Sequence, residues 1–223
     1  MVRQSSITLE SECTEAERGF LTSTLRSSDL SGRHLEIGTA AGGTLKELIG
    51  VYSGRPTRPD FVVIDPLTYY PNQFEKVRQN LTNAGIDPDS VEFWQGVTQD
   101  FLNRERDAGG RFDFVFIDGD HRAFPVMIDL QWADTVNTGG FIFLHDRQPK
   151  FPGVGWAIDY FLENCPEFEH VGQVDSLVCL RKARDRSAPC VTRRDLRRAR
   201  WKQMRLKYAR SIKKRLGRKQ ATS

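Results

Sequence analysis

Two runs in this sequence set titratable side chains at the ends of apolar segments: FDFVFIDGDH, closing on Asp118, Asp120 and His121, and FIFLHD, closing on His145 and Asp146. If the apolar segments are neighbouring strands, their ends converge. Oxygen ligands from adjacent strand tips can then share one divalent cation, and Mg²⁺ favours carboxylates, waters and substrate oxygens. An ion there would lower the pKa of a bound hydroxyl. His121, whose imidazole titrates near neutral pH, could remove the proton. One Asp at a strand end is commonplace, and one His more often caps a helix. Five such residues at two tips are hard to explain as core packing or solubility.

Upstream, HLEIGTAAGGTLKEL follows a short apolar run with Glu36, Gly38, Gly42 and Gly43. A dinucleotide site wants GxGxxG, and Ala40 stands where its second glycine belongs, so the turn fits a cofactor without a pyrophosphate better. The next run, FVVID, ends in Asp65. A carboxylate beside the first turn can accept two hydrogen bonds from a ribose diol. Taken alone, Asp65 is equally a helix cap or a turn residue; its specificity comes from following the glycine turn in the right order.

The elements that must position these residues are legible in the hydrophobic pattern. Short β-branched and aromatic runs (34–37, 61–64, 91–94, 112–117 and 141–144) alternate with segments of helical spacing. Three of the runs, FVVI, FVFI and FIFL, are apolar throughout, as expected for parallel strands covered on both faces. Phe74, Val77 and Leu81 mark one intervening helix, closed by Gly85. The alternation implies a doubly wound α/β sheet. A helical entry at 13–26 precedes it. A helix near 156–163 and the run FEHVGQVDSLVCLRK follow, the latter reading as an antiparallel hairpin on the sheet edge.

This order of motifs resembles the class I S-adenosylmethionine-dependent methyltransferases over about residues 30–181. The resemblance implies a Rossmann-like sheet of seven strands, the hairpin supplying the last two. It implies that Gly38, Gly42 and Gly43 let the backbone lie against the methionine part of S-adenosylmethionine, and that Glu36 orders the turn and helps bind the amino acid end. Asp65 would hold the ribose. The segment QGVTQDFL resembles the adenine-contacting stretch of catechol-type O-methyltransferases, with Thr98 and Gln99 at the contacting places. An ordinary loop with a helix cap explains it as well. In the metal-dependent members, including those acting on macrolide sugars, the metal-binding acids match Asp118 and Asp146, and the general base matches His121. Asp118 also belongs to the cofactor side. The pattern departs at Arg147, where catechol-type enzymes carry an Asn ligand; an arginine cannot coordinate a metal. Either another oxygen completes the shell, or Arg147 binds an anionic substrate and no metal is present. The acceptor implied is a hydroxyl on a small molecule or glycan. An RNA methyltransferase and a non-catalytic nucleoside-binding scaffold are the alternatives.

The charge divides the 223 residues unevenly: residues 1–180 carry net −12 and residues 181–223 net +16. We expect a catalytic domain over 1–185 and a basic helical tail over 186–223. In the tail, Trp201, Met204, Tyr208, Ile212 and Leu216 recur every three or four residues as one apolar stripe among arginines and lysines. Such a helix can lie on an anionic membrane or bind RNA through phosphates. It can also dock on the acidic body of its own subunit or of a neighbour in a homo-oligomer. Four scattered cysteines without a CxxC pair point to no zinc site or disulfide framework. With no apolar run at residues 1–10 and none long enough to span a bilayer, a cytoplasmic location, peripheral to the membrane at most, is expected.

Overall fold

The structure, a computed structural model, describes residues 11–220, with side chains described through residue 211. Helix α1 (Glu15–Arg26) leads into alternating strands and helices: β1 (Arg33–Ile37), α2 (Gly43–Gly50), β2 (Phe61–Asp65), α3 (Gln73–Asn83), β3 (Val91–Gln95), α4 (Thr98–Asp107), β4 (Phe112–Ile117), α5 (Ala123–Asp129) and β5 (Val136–Leu144). Then come α6 (Pro152–Asn164), the hairpin β6 (Phe168–Val174) and β7 (Leu177–Lys182), and the long α7 (Arg193–Gln220). The seven strands form one sheet in the order β3-β2-β1-β4-β5-β7-β6. Strands β1 to β5 are parallel, and β7 runs antiparallel to both β5 and β6.

The uninterrupted apolar strands are explained by burial on both sides. Phe114 and Phe116 of β4 join Val63 of β2 and Phe143 of β5 in the core beneath α1, α2 and α3. Val115 and Ile117 join Ile64, Ile142 and Leu144 on the opposite face, with α5 and α6. Strand order reverses between β1 and β4, and in such sheets the crevice at that switch point is where ligands sit.

Two features extend beyond the pattern in the sequence. Strand β5 begins at Val136, five residues before the apolar run, because the chain passes through Gly139 (φ +89°) and Gly140. A Cβ on Gly140 would lie 2.7 Å from the Asp113 carbonyl oxygen, so glycine lets the strand pass there. The segment after residue 186 also packs on the body. Cys190 and Val191 are buried in the α5–α6 core, as is Ala199 of α7. The Cys190 amide donates to Asp134 at 2.7 Å, and the Tyr160 hydroxyl donates to Asp195 at 2.6 Å. All four cysteines are free and buried.

Candidate active site

The cofactor side of the crevice is held by backbone. At Gly38 (φ +85°) a side chain would strike the Asp118 carbonyl, because the tips of β1 and β4 lie in contact there. Asp65 accepts from the amides of Thr39 (2.9 Å) and Leu67 (2.6 Å), tying the end of β2 to the glycine turn. From α3, Gln73 donates to the Ala40 carbonyl (2.9 Å) and Asn80 to that of Ala41 (3.0 Å). Gly42, also at φ +85°, is the N-cap of α2, and Gly43 opens that helix.

Above this turn lies a cavity of about 920 Å³ whose walls include Gly38, Asp65, Thr98, Gln99, Asp118 and His121. Glu36, Gly42 and Gly43 do not line it. The Thr98 hydroxyl is turned to Asp129 (2.5 Å), a carboxyl that burial pushes up to about 7 despite that bond. Glu36 is buried with neither oxygen hydrogen-bonded, and the neighbouring Thr39 hydroxyl is equally unsatisfied. Burial, reinforced by the charges of Asp118 and Asp65, pushes Glu36 up to about 8. An unsatisfied buried carboxylate is costly unless a cationic or donor group completes it. Asp65 retains acceptor capacity toward the cavity for a ribose, so the residues present fit S-adenosylmethionine.

The other side is a network of ionisable side chains. His121 Nε2 lies 2.8 Å from Asp146 Oδ2 and 3.9 Å from Asp118 Oδ1. His145 Nδ1 is 3.2 Å from the same Asp118 oxygen, and its Nε2 is 3.2 Å from Glu17. Glu17 comes from α1, where it completes a capping box with Thr14, and its other oxygen accepts from the Ser176 amide (2.8 Å) and hydroxyl (2.7 Å). The His121 ring rests against Phe151, 4.3 Å between centroids.

The carboxylates of Asp118 and then Asp146 push His121 up to about 9, outweighing burial. Burial works to lower His145, but its bond to Asp118 prevails and carries it up to about 12. Asp146 moves the other way: burial would raise it, and His121 and Gln148 hold it below the usual carboxylate range. The acids thus raise both imidazoles, and His121 in turn holds Asp146 down.

The structure thus brings Asp118, Asp146 and His121 to one point. The donor atoms of Asp118, His145 and Asp146 lie within 4.8 Å of one another, a set that fits a divalent cation. Arg147 is directed elsewhere. Asp146 has φ +64°, and the chain beyond it turns so that Arg147 bonds Asp159 (2.8 Å) and Gln173 (2.5 Å). Asp120 pairs with Arg122 at the rim. Sequence reasoning assigned no role to Glu17. Its capping spacing with Thr14 was readable, but nothing local marks its meeting with a histidine 128 residues away.

Fold and site together define a class of protein. Residues 35–147 match the methyltransferase domain family, and the chain belongs to it, with the class I S-adenosylmethionine-dependent methyltransferase fold. Among individual proteins, the chain is similar to a catechol O-methyltransferase of Mycobacterium tuberculosis (strain ATCC 25618 / H37Rv), 32% identical over 139 residues. That match spans 62% of this chain and 58% of the relative's length. The fold is shared with cofactor-bound Rv0187 from MTB, with a TM-score of 0.62 and 23% identity, covering 78% of this chain and 82% of that one. It is shared also with the O-methyltransferase from Bacillus cereus in complex with SAH, with a TM-score of 0.59 and 20% identity, covering 77% and 83%.

Proposed function

We propose that this chain transfers a methyl group from S-adenosylmethionine to a hydroxyl oxygen of a small molecule or glycan. The observation that carries the reading is that Asp118 and His121, the latter held by Asp146, line a cavity whose other wall is the Gly38 turn and Asp65. The catechol O-methyltransferase relative supports the choice of oxygen as acceptor.

S-adenosylmethionine, when bound, supplies an electrophilic methyl on a sulfonium. Asp65 would accept from the ribose hydroxyls, Glu36 would order the glycine turn behind the cavity wall, and Gln99, on that wall, would face the base. The acceptor hydroxyl is placed by Asp118 and His121, with Asp146 fixing the imidazole through its 2.8 Å contact. As the oxygen–carbon bond forms and the sulfur–carbon bond breaks, the hydroxyl proton passes to His121. Its two acids raise the His121 pKa; positive charge placed beside Asp118 and Asp146 would lower it and favour the base form. Mg²⁺ assistance at Asp118 and Asp146 is the finer part of this reading.

The test is transfer of labelled methyl from S-adenosylmethionine to catechol as a probe acceptor, before and after EDTA treatment and Mg²⁺ readdition. Transfer that follows the metal supports the whole reading. Transfer indifferent to both treatments removes the metal, and binding of S-adenosylhomocysteine without transfer to any hydroxyl acceptor removes the choice of oxygen.

A further inference from the structure

Helix α7 presents two different sides. One side docks: Ala199 is fully buried, Leu196 packs against the core, and Gln203 accepts from the Phe124 amide at 3.0 Å. The guanidinium of Arg200 lies 4.8 Å from the Phe124 ring centroid, and Lys202 leans toward Trp156. Trp201 and Tyr208 lie two and nine positions from Ala199, about 200° and 180° around the helix. They are 67% and 72% exposed, with Met204 between them at 39%. The apolar stripe therefore faces away from the body, and self-docking uses the opposite side.

We propose that this outward side of α7 lies on a bilayer containing anionic phospholipid. The helix from Arg193 to Gln220 carries 14 Lys and Arg against one acid, Asp195. Such a charge repels a second copy of the same helix and attracts an anionic leaflet. A narrow stripe with Trp and Tyr at one end and aliphatic residues along it matches the headgroup–acyl boundary. Nucleic acid would be served by stacking aromatics and phosphate-binding cations, which leaves Met204, and Ile212 and Leu216 further along, without use. Exposed Arg205 and Lys207, about 240° and 80° around from Ala199, supply the lateral charge. Phe124 also lines the cavity, so α7 is braced against the same wall that bounds the crevice. The proposal stands apart from the catalytic reading, since it uses no residue of the cluster.

The experiment is co-sedimentation of the full chain with vesicles of phosphatidylcholine alone and of phosphatidylcholine mixed with phosphatidylglycerol, over a range of salt. Binding is expected to the mixed vesicles, to weaken as salt rises, and to fall about tenfold or more in Trp201→Ser/Tyr208→Ser. Arg205→Gln/Lys207→Gln is expected to weaken binding to the mixed vesicles selectively. Both variants change exposed residues, and unchanged circular dichroism confirms that the body is intact. The proposal is overturned by no binding to mixed vesicles at low salt, or by binding indifferent to Trp201→Ser/Tyr208→Ser. It is overturned equally by concentration-dependent self-association that this variant abolishes without vesicle binding, or by a single-stranded RNA oligonucleotide binding more tightly than the vesicles.

Discussion

On the β1–β2 side of the cavity, polar atoms are held by backbone: Asp65 by the Thr39 and Leu67 amides, and the Ala40 and Ala41 carbonyls by α3. At the β4–β5 tips, by contrast, the charged side chains hold one another in a chain from Glu17 through His145 and Asp118 to His121 and Asp146. The first side is a cradle whose shape exists before anything binds, with Glu36 as its one buried carboxylate lacking any hydrogen-bond partner among the described residues. The second is a balance of charge, and whatever enters it changes the protonation of the whole group. That division suits a reaction in which one reactant is bound by shape and the other is activated by proton movement.

Substitutions on the two sides should therefore fail in different ways. The largest effect is expected from His121→Ala, which should cut methyl transfer by roughly 10²–10⁴-fold and leave S-adenosylhomocysteine affinity nearly unchanged; a wild-type rate in steady-state assays would end the assignment of His121. Asp65→Asn should do the reverse, weakening S-adenosylhomocysteine about tenfold by calorimetry through loss of a charged acceptor. Equal loss of rate and affinity in both variants would erase the distinction between the sides.

Glu36 sharpens the comparison through pH. Its folded pKa of about 8 lies above its ordinary 4.5, so between those values the folded state holds a proton that the unfolded state has released. Stability without cofactor should fall as pH rises through that window, by roughly 1.4 kcal/mol for each pKa unit of difference. Thermal denaturation at several pH values should show a shallower decline in Glu36→Gln, and identical slopes would remove the claim that Glu36 is buried uncompensated. The smallest effect belongs to Arg147→Ala. The side chain faces Asp159 and Gln173 on the surface, so transfer should stay within about twofold and stability within about 1 kcal/mol.

Much of the fold was legible because burial on both sheet faces leaves continuous apolar strands, as in FVFI of β4 and FVVI of β2. The start of β5 was hidden because Gly139 and Gly140 have the chemistry of a turn and serve here as a passage past Asp113. At the site, Asp118, His121 and Asp146 could be grouped because parallel strands deliver their ends to one edge. The Glu17–His145 contact joins α1 to β5 across 128 residues, and no local periodicity encodes it. Arg147 misled for a backbone reason: position along the chain implies the site, but the left-handed conformation of Asp146 sends the next side chain out of it. In α7 the helix was plain from its spacing. Which side docks was not, since Ala199 and Gln203 make a less apolar face than Trp201, Met204 and Tyr208.

The most direct measurement is a calorimetric titration of S-adenosylhomocysteine into the full chain and into its Asp65→Asn and His121→Ala variants. The account predicts saturable one-to-one binding, weakened in Asp65→Asn and preserved in His121→Ala. Absence of binding to the wild-type chain would contradict the assignment of the crevice to S-adenosylmethionine, and with it the proposed methyl transfer.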